Sequence, residues 1–184
     1  MAGGRSVLGR MLLVQALAWT IASAGLAEEA PWYDPELIAD FRVGIYCDPK
    51  VSETSSADDT IKGSVERLSG NPTFARGTTV VPAIDGINFG VEGRESPPSP
   101  ETVTITVIHP PLGRNRARKE SWETQMQGNK VTYHGYFLGL SDGDPTGDWV
   151  ITGTLSGKVL FKARFKVVKP SKKHFDPCRV GQTS

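Results

Sequence analysis

Only two cysteines and three histidines occur among the 184 residues. The histidines are His109, His134 and His174, and none has the close ligand spacing that zinc sites use. No Cys-x-x-Cys is present, which removes a thioredoxin-type redox motif. No Gly-x-Ser-x-Gly is present either, so the nucleophile elbow of the hydrolases is missing. No cofactor signature is found. Charge of one sign is equally scarce, with 21 basic against 20 acidic residues. That balance lacks the basic field that binding to nucleic acid requires, and no nucleic-acid partner is expected. The longest apolar run is about a dozen residues, short of the roughly 20 a bilayer span needs.

That run sits near the N-terminus and has a recognisable setting. Arg5 and Arg10 precede it, residues 11–21 are mostly apolar, and Ala22, Ser23, Ala24, Gly25 and Ala27 follow. A basic start, a short apolar middle and small residues at the end make a secretory leader. The expected signal peptide is 1–27, cleaved after Ala27, with cleavage after Ala24 also fitting the rule of small side chains at −3 and −1. Without Arg5 and Arg10 the chain carries about one net negative charge. Export implies a periplasmic or secreted protein in an oxidising space, where Cys47 and Cys178 are expected to pair. Two free thiols, or one cysteine in an intermolecular bridge, are the alternative.

Gly (20 residues) and Pro (13 residues) favour turns over helices. After a lead-in over 28–37, extended segments with a period of two follow one another. Phe41, Val43 and Ile45 share a face, as do Ile87, Phe89 and Val91. Val103, Ile105 and Val107 alternate with Thr102, Thr104 and Thr106, and Pro110-Pro111 is expected to end that strand. Residues 48–59 read as a loop, 60–68 as a weak strand and 112–120 as a basic connector. Gly128-Asn129 signals a hairpin. Val131, Tyr133 and Phe137 are expected on one dry face, leaving His134 on the wet side. The last hairpin, 148–155 and 158–168 around Ser156-Gly157, has the clearest pattern. Trp149, Ile151 and Leu155 alternate on one strand and Val159, Phe161, Ala163, Phe165 and Val167 on the other. Seven to nine such strands predict an all-β, immunoglobulin-like antiparallel sandwich over 38–168, with a polar tail over 169–184. A closed barrel is the alternative.

The run Gly77-Thr78-Thr79-Val80-Val81-Pro82-Ala83, then Gly86-Ile87-Asn88-Phe89-Gly90-Val91-Glu92, resembles a block of the bacterial domain-of-unknown-function 3859 family. His109-Pro110-Pro111 and Gly147-Asp148-Trp149 fit the same resemblance, which covers about 38–168. It implies an exported immunoglobulin-like module with no assigned activity and no catalytic residues to carry over. In such sandwiches the first strand often runs parallel to the last. The segments 38–46 and 158–168 would then end at one pole, with Cys47 at a strand end and Cys178 within reach.

Arg114, Arg116, Arg118 and Lys119 form the densest charge run and the candidate binding residues, able to meet an anionic glycan, headgroup or acidic protein face. Glu120 and Glu123 dilute that field, so a solvated connector is the competing reading. Lys172, Lys173 and His174 would extend the patch. Trp32 and Tyr33 are expected to plug one end of the sandwich. The chain therefore reads as a non-enzymatic binding or structural module of the periplasm or envelope, with an envelope protein or glycan as partner. The alternatives are an anionic-surface binder using the basic loop, and an envelope enzyme or inhibitor. The mark of the enzyme would be His109 or His134 beside a carboxylate in a deep pocket.

Overall fold

The computed structural model describes residues 29–96, 101–113, 116–126, 128–171 and 176–178. Two antiparallel sheets face each other across an apolar core, and a separate hairpin stands at their side. The strands are β1 (Trp32–Tyr33), β2 (Ile38–Cys47), β3 (Val51–Ser56), β4 (Ser64–Leu68), β5 (Thr73–Arg76), β6 (Val80–Pro82), β7 (Asn88–Glu95), β8 (Glu101–Leu112), β9 (Ala117–Met126), β10 (Val131–Phe137), β11 (Gly147–Leu155) and β12 (Lys158–Val168). The described residues form twelve strands against the expected seven to nine, because short or polar segments carry too little apolar alternation to be marked.

The first sheet has the order β12-β11-β8-β9, with β1 and β6 both on the outer edge of β12. The second has the order β10-β7-β2-β5. An immunoglobulin sandwich sorts its strands as ABED against CFG. Here β2, β7 and β10 take the places of A, B and E, while β8, β11 and β12 take C, F and G. The chain is an immunoglobulin-like β-sandwich, not a barrel. Inward residues meet between the sheets as a two-residue period requires, with Trp149, Phe89, Phe165 and Ile105 all essentially without exposure. Phe89 meets Trp149 and Phe165 edge-on, at 5.7 and 5.0 Å between ring centroids.

Several local expectations are corrected. The strand parallel to β12 is not 38–46 but β6, with Val80 opposite Lys166 and Pro82 opposite Val168. β6 follows β2 in the chain only after β3, β4 and β5, and it joins the other sheet. Pro110-Pro111 does not end β8. These prolines lie past the last β11 pair, Val150 with Ile108, where the pairing with β9 is also irregular, so their missing N–H groups cost no ladder bond. The basic connector shrinks to a tight turn between β8 and β9. Gly128-Asn129 does turn the chain, with Asn129 at φ 64, but it carries it from one sheet to the other and makes no hairpin. Trp32 and Tyr33 do not plug a pole. They form an edge strand in which Trp32 opposes Lys162 and stays half exposed, while Tyr33 stacks on Phe41 at 4.6 Å. Val159 is exposed as well, because the pairing of β11 and β12 shifts between Gly153 and Thr154 and Leu160 takes the inward place. Ser156-Gly157 closes its hairpin as expected, with both residues at positive φ.

Candidate functional site

The segment between β2 and β6 is far longer than a strand crossing needs, and it folds as an insertion. Residues 48–59 are not a loop: β3 pairs with β4 in antiparallel register from Val51–Leu68 to Ser56–Ser64, with polar side chains on both faces. This hairpin joins neither sheet. It reaches along the side of the sandwich where both sheets end, at β9 and β10.

Polar contacts tie it down at two ends. At the tip, Ser121 donates its main-chain N–H to the Asp59 carbonyl at 3.1 Å. Ile61 donates its N–H to Glu120 Oε2 at 2.9 Å. Lys62 pairs with Asp142 at 2.6 Å. At the base, the Asn71 amide donates to the Val131 carbonyl at 2.6 Å. Between these ties lies an open groove of about 1180 Å³. The hairpin forms one wall, Trp122 to Gln125 of β9 the second, and Val131 to Phe137 of β10 the third. Gly135 lacks a side chain, so Tyr133 lies over it and donates its hydroxyl to the Phe89 carbonyl at 3.2 Å.

Behind the hairpin tip is a buried polar chain. Tyr136 Oη stands 3.2 Å from Glu120 Oε1 and 3.1 Å from Asp144 Oδ1. Asp144 Oδ2 accepts the Gly139 N–H at 2.7 Å. His109 Nε2 lies 3.3 Å from Glu120 Oε1, close enough for an ion pair although not aligned as a hydrogen bond. Its Nδ1 is 2.8 Å from the Pro110 carbonyl, so Nδ1 must donate. With one nitrogen donating and the other facing a carboxylate, the imidazolium is the favoured form. Burial pulls the His109 pKa down, but the contacts with Glu120 and Pro110 outweigh it and the net direction is up. Burial pushes Glu120 up, yet His109 and the Ile61 N–H bring it below its ordinary value. For Asp144 burial wins, and its pKa is raised despite the Gly139 and Tyr136 bonds. The single hydroxyl proton of Tyr136 is shared between the two carboxylates, Glu120 and Asp144.

His134 is not on the wet side. It is buried, with Nε2 2.8 Å from Glu95 Oε1, and its ring stacks on Phe161 at 5.5 Å. Thr132 donates to the other Glu95 oxygen at 3.1 Å. His134, Tyr136 and Leu138 form the inward face of this segment, and Val131, Tyr133 and Phe137 the outward one. Both core histidines thus stand beside carboxylates, but between the sheets. The His109 side chain has no exposure and that of His134 only 7%. A general acid or base must come within hydrogen-bond reach of the reacting atom, and both imidazoles are buried. The arrangement anchors strands and the hairpin tip.

Arg116 lies in the turn at φ 50, and Arg118 and Lys119 are exposed on β9. Neighbours on a strand point to opposite faces, so Arg118 and Lys119 diverge, with Lys119 on the outer face opposite Ile108. Arg114, Lys172, Lys173 and His174 lie outside the described residues. The sequence does not mark the groove because β3, one strand of its hairpin, has no apolar face. The one available sign was an unusually long stretch between two strands.

Cys47 and Cys178 form a disulfide, with Cα atoms 5.5 Å apart. Among the described residues, no helix is long and apolar enough to cross a membrane. Comparison with curated proteins finds no match. Among solved structures, an immunoglobulin-like protein from Pseudomonas aeruginosa is similar to this chain at 16% identity and a TM-score of 0.48. The similarity covers 77% of this chain and 99% of that one. The model of a domain of unknown function, DUF3859, matches residues 35–167, and the chain belongs to that family.

Proposed function

We propose that this protein is an exported, non-enzymatic binding module of the periplasm or cell envelope, and that its ligand occupies the groove between the β3–β4 hairpin and the β9 and β10 edges. The groove carries the reading. It is open, it is walled on three sides, and two strand edges terminate in it. The leader over 1–27 and the Cys47–Cys178 bridge support an oxidising compartment outside the cytoplasm. The placement of His109 and His134 in the interior weighs against the enzyme alternative.

Site-specific photocrosslinking in the native envelope tests the reading. A benzoylphenylalanine at Phe137 or Thr124 lines the groove, whereas one at Thr106 or Thr152 faces out from the first sheet. Discrete adducts from the groove positions, absent from the two controls, are expected. Equal labelling at all four positions, or none at the groove, removes the proposal.

A further inference from the structure

The geometry points to an extended, basic polypeptide segment as the groove's ligand, adding to the free edge of β10 as an extra strand of the second sheet. This rests on the groove being the binding site and names its occupant.

An immunoglobulin sandwich of the ABED type places strand D beside strand E. Here β10 stands where E does, and the chain passes from β9 to β10 by a turn with no strand between them. The D position is therefore skipped, and the second sheet ends at β10. The register of β10 with β7 runs without a break from Val131–Arg94 to Phe137–Asn88. Just outside it, Lys130 accepts from Glu95 and Leu138 donates to Ile87. Even-numbered residues thus bond to β7, and the main-chain N–H and C=O groups of Tyr133, Gly135 and Phe137 point the other way, into the groove. Among the described residues none of these groups has a hydrogen-bond partner. The next acceptor along, the Val131 carbonyl, already takes an amide N–H from Asn71. A carboxamide is chemically a peptide N–H, so the edge accepts amide donors from outside its own sheet.

Tyr133 to Phe137 spans about 14 Å at a strand's rise of roughly 3.4 Å per residue, a footprint of about five residues. Charge chooses the side chains. Asp58, Asp59, Glu66 and Glu123 line the walls against Lys62, Arg67 and Lys130, and Lys62 is already held by Asp142. The excess is negative, and side chains of an added strand would alternate between the hairpin wall and the β9 wall.

The test uses the purified, disulfide-bonded protein and the peptide Lys-Thr-Lys-Val-Lys-Thr-Lys, followed by amide chemical shifts. Saturable shifts at Tyr133, Gly135 and Phe137 are expected. N-methylation of alternate peptide amides on the edge-bonding side should weaken binding at least tenfold, and Lys→Glu replacement should weaken it similarly. The double variant Asp58→Lys/Glu123→Lys, both exposed positions that leave the fold intact, should lose the preference for lysine. Equal binding of the N-methylated peptide, equal binding of the acidic one, or no shift at millimolar peptide overturns the inference. So does a neutral oligosaccharide that shifts these amides when the peptide does not. If groove-specific crosslinks persist while the peptide fails, only the strand-addition inference falls. If the crosslinks fail as well, the groove itself is excluded.

Discussion

Glu120 is the residue on which the buried chain turns. It faces His109, accepts from Tyr136 and holds the hairpin tip through Ile61. Replacing it by Gln keeps the shape but leaves an interior imidazolium without its counter-charge. Breaking one side of a buried pair costs about 3–5 kcal/mol, so Glu120→Gln is expected to lower stability by that order in urea unfolding. Amide exchange over 57–63 should quicken, because the Ile61 bond weakens. The pH dependence has a defined sign. His109 has its pKa raised in the fold, so its contribution is complete below its ordinary 6.5 and is lost as pH climbs through the folded value. Glu120 has its pKa lowered, so its share is present above its ordinary 4.5 and is lost as pH falls through the depressed value. The raised pKa of Asp144 adds a penalty that grows as pH rises from 3.8. Stability should therefore peak on the mildly acidic side and decline above neutrality. His109→Gln should flatten the His109 part of the alkaline decline in a series of thermal melts. An unchanged decline would assign it elsewhere.

At the level of elements, β11 and β12 show how much a strand depends on what it lacks. Gly153 opposes Phe161, and a Cβ at Gly153 would run into that ring. Gly153→Ala should cost about 1–3 kcal/mol by overpacking. In a Phe161→Leu background the same change should cost at least about 1 kcal/mol less, a coupling that a double-mutant cycle in urea measures directly. Simple additivity would show that the ring does not rest on the glycine. The period of two marked the faces of β8 over 102–108, of β11 over 149–151 and of β12 from Phe161 onward, because each has one apolar and one polar face there. It failed for β10, where the outward residues Val131, Tyr133 and Phe137 look more apolar than the inward His134. What turns His134 inward is Glu95, 39 residues earlier on β7, and no local pattern contains that partner. It failed again for β3, since Val51–Ser56 has no apolar face to alternate. The sequence named a histidine beside a carboxylate only as the mark of an enzyme, and it put His134 on the wet side. The groove was not legible, because it is made by edges and an insertion whose positions follow from topology alone.

For the molecule as a whole, the Cys47–Cys178 bridge closes almost the entire sandwich, joining the end of β2 to the segment after β12 across 131 residues. Cys178 also sits against the Tyr46 carbonyl, beside the packed rings of Tyr46, Phe74 and Tyr133. Loop-closure entropy assigns a ring of this length about 5 kcal/mol, exerted on the unfolded chain. The folded contacts of the two sheets do not depend on it. The double variant Cys47→Ser/Cys178→Ser should therefore fold, with unfolding free energy lower by up to about 5 kcal/mol and the groove unaltered. Reductant should bring the wild-type protein to the same level and leave the double variant unmoved. Urea titrations of both proteins with and without reductant decide it. A double variant as stable as the oxidised protein would mean that the bridge adds nothing to the sandwich. One that lost the shifts of Tyr133 and Phe137 on peptide addition would mean that the bridge shapes the groove, because Tyr46 and Tyr133 pack ring to ring at 4.6 Å between the two.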